Sequence, residues 1–339
     1  MNLQKRHRIV VTQPVHPEVL KKLRQGGDVV MNPGPEPWDA EMLQRQLRDA
    51  DAWMAFMTDR IDATVLQGAP RLRTVACALK GYDNFDLRAC AAAGVSVSFV
   101  PDLLTEPTAE LALGLAIAAA RHIVQGDQRV RHGYGGGRPQ FYGQGLAGAV
   151  VAVVGLGAVG RAIVDRLAGF GCAELLSVDP QARDPRTTAV TIPEALDRAG
   201  FVLLAVPLLP GTQHMINEAT LQGARPGLVL VNVGRGSVVD EAAVARALQE
   251  GRLGAYAADV YEMEDWQRPD RPTSVHPQLL AHPRTVLTPH LGSAVRSVRL
   301  SIEHRAADNL LQVLAGAPPA DLAWATPWTT ARRTFGWRA

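Results

Sequence analysis

Three observations predict an α/β fold made of two parallel-sheet domains. The 339 residues exceed the roughly 250–300 at which one hydrophobic core stops growing. Short β-rich runs alternate with helical patterns along most of the chain, the arrangement that crossover helices between parallel strands require. One Gly-rich interval, 133–145, divides the alternation into two series. Hydrophobic residues at 47% and charged residues at 20% are ordinary globular composition, which argues against a disordered chain.

The first series has strand candidates at 8–12, 28–31, 52–57, 73–79 and 95–100, with helical patterns at 16–25 and 40–50. Thr105-Glu106-Pro107-Thr108 then signals a helix start, with Pro in the first turn. That helix runs to about Arg121 and is apolar nearly all round (Leu111, Leu113, Leu115, Ile117), which predicts burial between the domains. Beyond the glycines, strands are expected at 149–154, 174–178, 201–206, 228–233, 255–260 and 285–288. A helical pattern from 294 to about 314 carries the chain back to the first domain. The tail from Gly316 holds Pro318, Pro319, Pro327, Trp324, Trp328 and Trp337 and reads as an extended arm or a disordered end.

Thirty-five Lys and Arg against 33 Asp and Glu leave a net charge of +2, which makes no case for nucleic acid or a membrane surface as partner. Cys77, Cys90 and Cys172 are an odd number without metal-ligand spacing, so they read as reduced core thiols, with no metal expected. The basic start, Met1 to Arg8, is not followed by the apolar segment of a signal peptide. The longest apolar stretch, 146–160, is short of a membrane span and broken by four glycines. A soluble cytoplasmic protein is the expectation.

Gly155-Leu156-Gly157-Ala158-Val159-Gly160 directly follows the 149–154 strand and opens a helix with apolar positions at Val159, Ile163, Leu167 and Phe170. The first glycine permits the tight turn, the second lets backbone approach a pyrophosphate, and the third lets helix pack on strand. The N–H groups at the helix start then face the diphosphate. Asp179, 19 residues past Gly160, lies at the end of the next strand, where it would accept hydrogen bonds from ribose hydroxyls. Its charge repels a 2′-phosphate, so NAD is expected over NADP, although Arg183 and Arg186 could soften that choice.

Ligands of open α/β sheets sit beyond the carboxyl ends of the strands. Lys80-Gly81, Arg235 between Gly234 and Gly236, Glu264, and His290 all fall at such ends. An arginine between glycines suits an anion clamp, and a carboxylate beside a histidine orients the ring for acid/base work. Singly, each has a bland alternative as an ion-pair partner or a solvated loop residue. Four in succession on a nucleotide-binding sheet favour a catalytic site.

The order GLGAVG, VGRGSVVDE, ADVYEMEDW and TPHLGSA resembles the NAD-dependent D-2-hydroxyacid dehydrogenases from about residue 8 to 315. The resemblance implies two Rossmann-like or flavodoxin-like domains with the active site in the cleft between them. It implies a catalytic set of Arg235, Glu264 and His290, with Lys80, Gly81, Met57, Tyr142 and Arg299 at the substrate. The expected cofactor set is Thr108, Gly155, Leu156, Gly157, Ala158, Val159, Gly160, Asp179, Pro180, Val206, Pro207, Val233, Asp259 and Gly292. The domains are expected at 1–104 with 293–339, for substrate, and 105–292, for NAD. A homodimer is implied, with the Thr108–Arg121 helix and the glycine interval as interface.

A narrower resemblance is to the phosphite (phosphonate) dehydrogenases of that family. It rests on MAFMTDR at 54–60, ALKGYDNFD at 78–86, VPDLLTEPTAEL at 100–111, PQFYG at 139–143, YEMEDW at 261–266 and GSAVRSVRL at 292–300. It implies NAD-dependent oxidation of phosphite to phosphate. Phosphite is compact and largely dianionic, so a second cation, Lys80, lowers the cost of desolvating it. The chain departs from that group at Gly137, where an aromatic stands next to the pocket, and in the tail after 315. The alternatives are a glyoxylate or hydroxypyruvate reductase and, from another class, a non-catalytic NAD-sensing binding protein.

Overall fold

The computed structural model describes residues 6–137 and 141–324. The beginning of PQFYG and the tail with Trp328 and Trp337 lie outside the described residues. In chain order the first elements are β1 (His7–Val11), α1 (Pro17–Gly26), β2 (Gly27–Met31), α2 (Ala40–Leu47), β3 (Ala52–Ala55), α3 (Ala63–Gln67), β4 (Thr74–Cys77), α4 (Leu87–Ala92) and β5 (Ser96–Ser98). Then follow α5 (Thr105–Ala120), α6 (Ile123–Arg131), β6 (Val150–Val154), α7 (Ala158–Leu167), β7 (Glu174–Val178), β8 (Thr188–Ala189), α8 (Ile192–Arg198), β9 (Phe201–Leu204) and α9 (Glu218–Gln222). The series ends with β10 (Leu228–Asn232), α10 (Glu241–Gln249), β11 (Leu253–Ala258), α11 (Pro277–Ala281), β12 (Thr285–Leu287), α12 (Arg296–Leu314) and β13 (Leu322–Trp324).

Two compact units result, Met1–Leu104 with Val295–Ala339 and Thr105–Ala294. The first unit's sheet runs β13-β5-β4-β3-β1-β2 and is parallel except for β13. Its strand order reverses between β1 and β3, as in flavodoxin-like folds. The second unit's sheet, β12-β11-β10-β9-β6-β7-β8, is parallel throughout and has Rossmann order with the reversal between β6 and β9.

Both sheets bury both faces, which is why their strands read as continuous apolar runs. In the second unit Val151, Val153, Phe201 and Leu203 face the core shared with α5 and α7, while Ala152, Val154, Val202 and Leu204 face the core of α8 to α11. In the first unit Val10, Trp53 and Val75 point to one core, and Ile9, Val11, Met54 and Ala76 to the core shared with α1 and α12. Cys77 and Cys90 are buried and Cys172 partly so; burial pushes the Cys90 thiol up to about 12.

Two expectations need correction. Phe170 does not continue the apolar stripe of α7, because the helix ends at Leu167 and Phe170 is 37% exposed in a following turn. The start of the tail is not an arm over another surface: Leu322–Trp324 pairs antiparallel with β5 as the sheet's edge strand.

Candidate active site

The glycine turn has the geometry its sequence requires. Gly155 has φ +93°, and a Cβ there would lie 2.9 Å from the Ala205 carbonyl oxygen. A Cβ on Gly160 would lie 1.7 Å from the Gly155 carbonyl, so only glycine lets α7 pack on β6. At Gly157, by contrast, a Cβ would meet nothing within 4 Å. Gly157 is also the N-cap of α7 without a side-chain cap, so the N–H groups of the first turn can serve a pyrophosphate. The residues therefore fit a dinucleotide, with Ala158 and Val159 in that first turn. Pro180 and Pro207 are exposed just past β7 and β9, and Val206 and Val233 line the close approach to Gly155 and the end of β10.

Of the two arginines near Asp179 in sequence, Arg186 is committed elsewhere, whereas Arg183 lies against Asp179 itself. Arg186 binds Asp184 at 2.7 Å and Asp165 at 2.5 Å, and Arg183 donates to the Asp179 and Ala182 carbonyls.

The turn after β10 holds Arg235 by backbone. Asn232, fully buried, accepts the Gly234 N–H at 3.1 Å and donates to the Arg235 carbonyl at 2.9 Å. Arg235 Nη1 donates to the Gly234 carbonyl at 2.8 Å. Its neighbour Gly236 lies so close to the next turn that a Cβ would fall 1.8 Å from the Tyr261 carbonyl carbon.

His290 adopts a left-handed φ of +54° directly after Pro289. Its Nδ1 lies 2.9 Å from Glu264 Oε2, the pairing expected from the sequence. Asp259, 2% exposed, holds this loop by accepting the Leu291 and Gly292 N–H groups at 2.6 and 2.8 Å and the Thr288 hydroxyl at 2.6 Å. Its carboxylate thus holds the His290 loop, a role that its place in the expected cofactor set does not by itself suggest. Thr108 donates its hydroxyl to the Gly292 carbonyl at 3.3 Å.

Beside Glu264, Glu262 and Asp265 are buried rather than solvated. Burial pushes the Asp265 carboxyl up and Glu264 adds to this, while hydrogen bonds from Ser237 and the charge of Arg235 pull it down. Among the described residues no group of three or more His, Cys, Asp or Glu is placed to hold a metal, and no helix is long and apolar enough to cross a membrane.

In the first unit, Met57 and Asp59 follow β3 and Thr12 follows β1, the two strands at the reversal of strand order. Asp59 accepts the Thr12 hydroxyl and the Phe56 N–H, the latter at 2.7 Å, and Asn84 donates to the Met57 carbonyl at 3.1 Å. Lys80-Gly81 lies partly buried beyond β4, where Gly81 accepts a 3.4 Å hydrogen bond from Cys77 Sγ. Burial lowers Arg299, early in α12, and the charge of Glu303 one turn on opposes this. Tyr142, in the second unit, is 82% exposed.

The second unit's sequence matches the model of a known family, "D-isomer specific 2-hydroxyacid dehydrogenase, NAD binding domain", over residues 113–292. A glyoxylate reductase of Thermococcus onnurineus is 34% identical over 327 residues, covering 93% of this chain and 95% of that protein. One from Aeropyrum pernix is 35% identical over 94% of this chain and 96% of its own length. Among solved structures, a Thermus thermophilus protein superposes with TM-score 0.84 at 32% identity, over 94% of this chain and all of its own. An NADPH-dependent glyoxylate/hydroxypyruvate reductase of Sinorhizobium meliloti, solved with NADP and malonate, gives 0.81 at 30% identity over 94% and 97%.

Proposed function

The chain belongs to the D-isomer specific 2-hydroxyacid dehydrogenase family, with NAD as the cofactor of its second unit, and on that premise we propose that it oxidises phosphite to phosphate. The observation that carries the reading is Lys80-Gly81 at the carboxyl edge of the first unit's sheet, within the string ALKGYDNFD. A 2-hydroxy acid presents one carboxylate, which one arginine can hold. A dianion on a single phosphorus centre gains from a cation beyond one arginine, and Lys80 is the residue to which we give that role. Gly81, Met57, Tyr142 and Arg299 complete the proposed substrate set.

Bound NAD supplies the hydride acceptor. The oxygen of water forms the new bond to phosphorus as the P–H bond breaks, and the proton of that water goes to His290. A carboxylate only accepts hydrogen bonds, so the Glu264 contact puts the His290 proton on Nδ1 and leaves the Nε2 lone pair to act as base. Arg235 would hold the anion, and the backbone about Gly81 would accept its approach without a side chain in the way. Positioning and charge, rather than covalent chemistry, are what the protein contributes.

A second reading is favoured by the names of the relatives, which are glyoxylate or hydroxypyruvate reductases rather than phosphite dehydrogenases. In it Arg235 binds the carboxylate of a keto acid and His290 gives its proton to the carbonyl oxygen. The Arg235, Glu264 and His290 set argues against a non-catalytic NAD sensor, but keeping such a set is not proof of turnover. One preparation decides: NADH formation from phosphite supports the first reading. NADH oxidation by glyoxylate or hydroxypyruvate without any phosphite turnover replaces it with the second. We also propose a homodimer; the exposed apolar side chains Ile123, Val124 and Val130 of α6 are consistent with a covered face.

A further inference from the structure

Arg235 and Glu264 border two short turns, the first of which is held from one side by the His214 N–H on the Ser237 carbonyl at 2.7 Å and the Ile216 N–H on the Val238 carbonyl at 3.2 Å. The turn Gly236–Val238 directly follows Arg235, and the turn Glu262–Glu264 ends on Glu264. The chain joins them through side chains. Ser237 donates its N–H to Asp265 Oδ2 at 2.6 Å. Arg268 Nη1 donates to Ser237 Oγ at 2.9 Å and to Glu262 Oε2 at 2.6 Å. Arg268 is thus bound to both turns at once. Its side chain is only 11% exposed, and Asp270 takes its other terminal nitrogen at 3.0 Å.

Glu262 is itself fixed from behind. Its Oε1 accepts the Glu241 N–H at 3.0 Å, and Glu241 returns the contact by accepting the Glu262 N–H at 2.9 Å. His214 Nε2 lies 2.8 Å from Glu262 Oε2. The carboxylate that receives Arg268 therefore cannot follow the arginine if the arginine moves. The guanidinium matters as well, because Nη1 meets Ser237 and Glu262 while Nε and Nη2 hold Asp270 at 3.2 and 3.0 Å, which a single ammonium cannot do.

We propose that Arg268 is a positioning residue for the reaction: by bridging Ser237 and Glu262 it locks the turn that carries Arg235 to the turn that carries Glu264. Arg268 thereby reinforces the Ser237–Asp265 hydrogen bond and the Gly236–Tyr261 backbone contact in fixing the spacing between the anion-holding group and the proton-transferring pair. This rests on the roles given above to Arg235, Glu264 and His290. Arg268 itself touches none of the three by any described hydrogen bond.

Removing Arg268 alone strands a buried carboxylate and can unfold the protein for that reason. The test therefore pairs Arg268→Met with the double variant Glu262→Gln/Arg268→Met, which leaves no unpaired buried charge, since Asp270 is exposed. With whichever substrate the parent turns over, kcat/KM of the folded double variant should fall on the order of 100-fold, with kcat and KM both affected. NAD affinity should stay within about twofold, since the glycine turn is untouched. Arg268→Lys should restore only part of the loss. In the Ser237→Ala background, Arg268→Met should add little, because the link is already broken.

Parental kcat/KM in the double variant, or full additivity with Ser237→Ala, overturns the proposal. If the parent turns over neither phosphite nor the keto acids, it is the functional reading that fails. Amide exchange at Ser237 then decides the clasp: faster exchange in the double variant upholds it, and unchanged protection overturns it.

Discussion

Leu156 donates its backbone N–H to Asp179 Oδ2 at 2.8 Å, so the glycine turn and the acidic residue of the next strand form one rigid element. Burial pushes the Asp179 carboxyl up, but hydrogen bonds from the Ala182, Leu156 and Gln181 backbones outweigh it and hold the group below the usual range. A fixed anion therefore stands at the end of β7; Arg183 lies against it and lowers it further, while Arg186 is bound to Asp184 and Asp165. Asp179→Ala should weaken NAD by about tenfold, the worth of one or two hydrogen bonds to a charge. It should also narrow the preference over NADP, read by fluorescence titration of both. An unchanged ratio of the two affinities would remove Asp179 from ribose recognition.

Much of this element was legible in the sequence, because Gly155 and Gly160 are each required by a local steric fact that the spacing encodes. The His290 and Glu264 pair was legible for a similar reason, since strand-end positions converge in parallel sheets. Glu262, Asp265 and Asp59 were not. A carboxylate in a loop reads as solvated until the fold brings backbone N–H groups to it, and the partners Glu241, Ser237 and Phe56 are set by tertiary structure. Leu322–Trp324 was missed because three residues after a proline pair carry no period. Its strand identity comes from the exposed edge of β5.

Lys80→Ala should abolish phosphite turnover while NAD binding stays nearly intact. The side chain follows β4 in the first unit, whereas the nucleotide turn follows β6 in the second. An unchanged kcat/KM for phosphite would refute the role given to Lys80.

His290→Asn should lower kcat by about 10²–10⁴, the range for losing a positioned general base. Glu264→Gln should lower it less, because the amide still occupies the space beside Nδ1 but no longer orders the ring as a carboxylate does. NAD affinity serves as the control in both. A kcat that survives His290→Asn would move the base to another group.

Two glycine substitutions should separate folding from cofactor binding. An alanine Cβ at Gly236 would fall 1.8 Å from the Tyr261 carbonyl carbon and 2.3 Å from the Glu262 nitrogen, which are backbone atoms that cannot swing aside. Gly236→Ala should cost roughly 1–3 kcal/mol or more, seen as a lower Tm, together with most of the activity. Gly157→Ala meets nothing within 4 Å and should leave Tm unchanged while weakening NAD. Equal Tm loss in both would mean that the turn at Gly157 is structural and not a cradle for the diphosphate.

Asp59 gives stability a pH dependence with a definite sign. Burial raises its carboxyl to about 6, against the opposing hydrogen bonds from Thr12 and Phe56. The folded state therefore holds the proton more tightly than the unfolded chain. Its contribution is fully present below the unfolded value near 3.8 and is lost as pH rises through about 6. The difference amounts to about 3 kcal/mol. Asp51, Asp184 and Asp321 are lowered and act in the opposite sense, so the parent's own pH profile will not isolate the effect. Asp59→Asn does isolate it. The amide oxygen can accept the same two hydrogen bonds and does not titrate, so the variant should gain on the parent between pH 4 and pH 7 by up to that amount. Denaturant midpoints of both proteins at the two pH values measure it, and a stability difference that does not change with pH would mean that folding does not raise the Asp59 carboxyl.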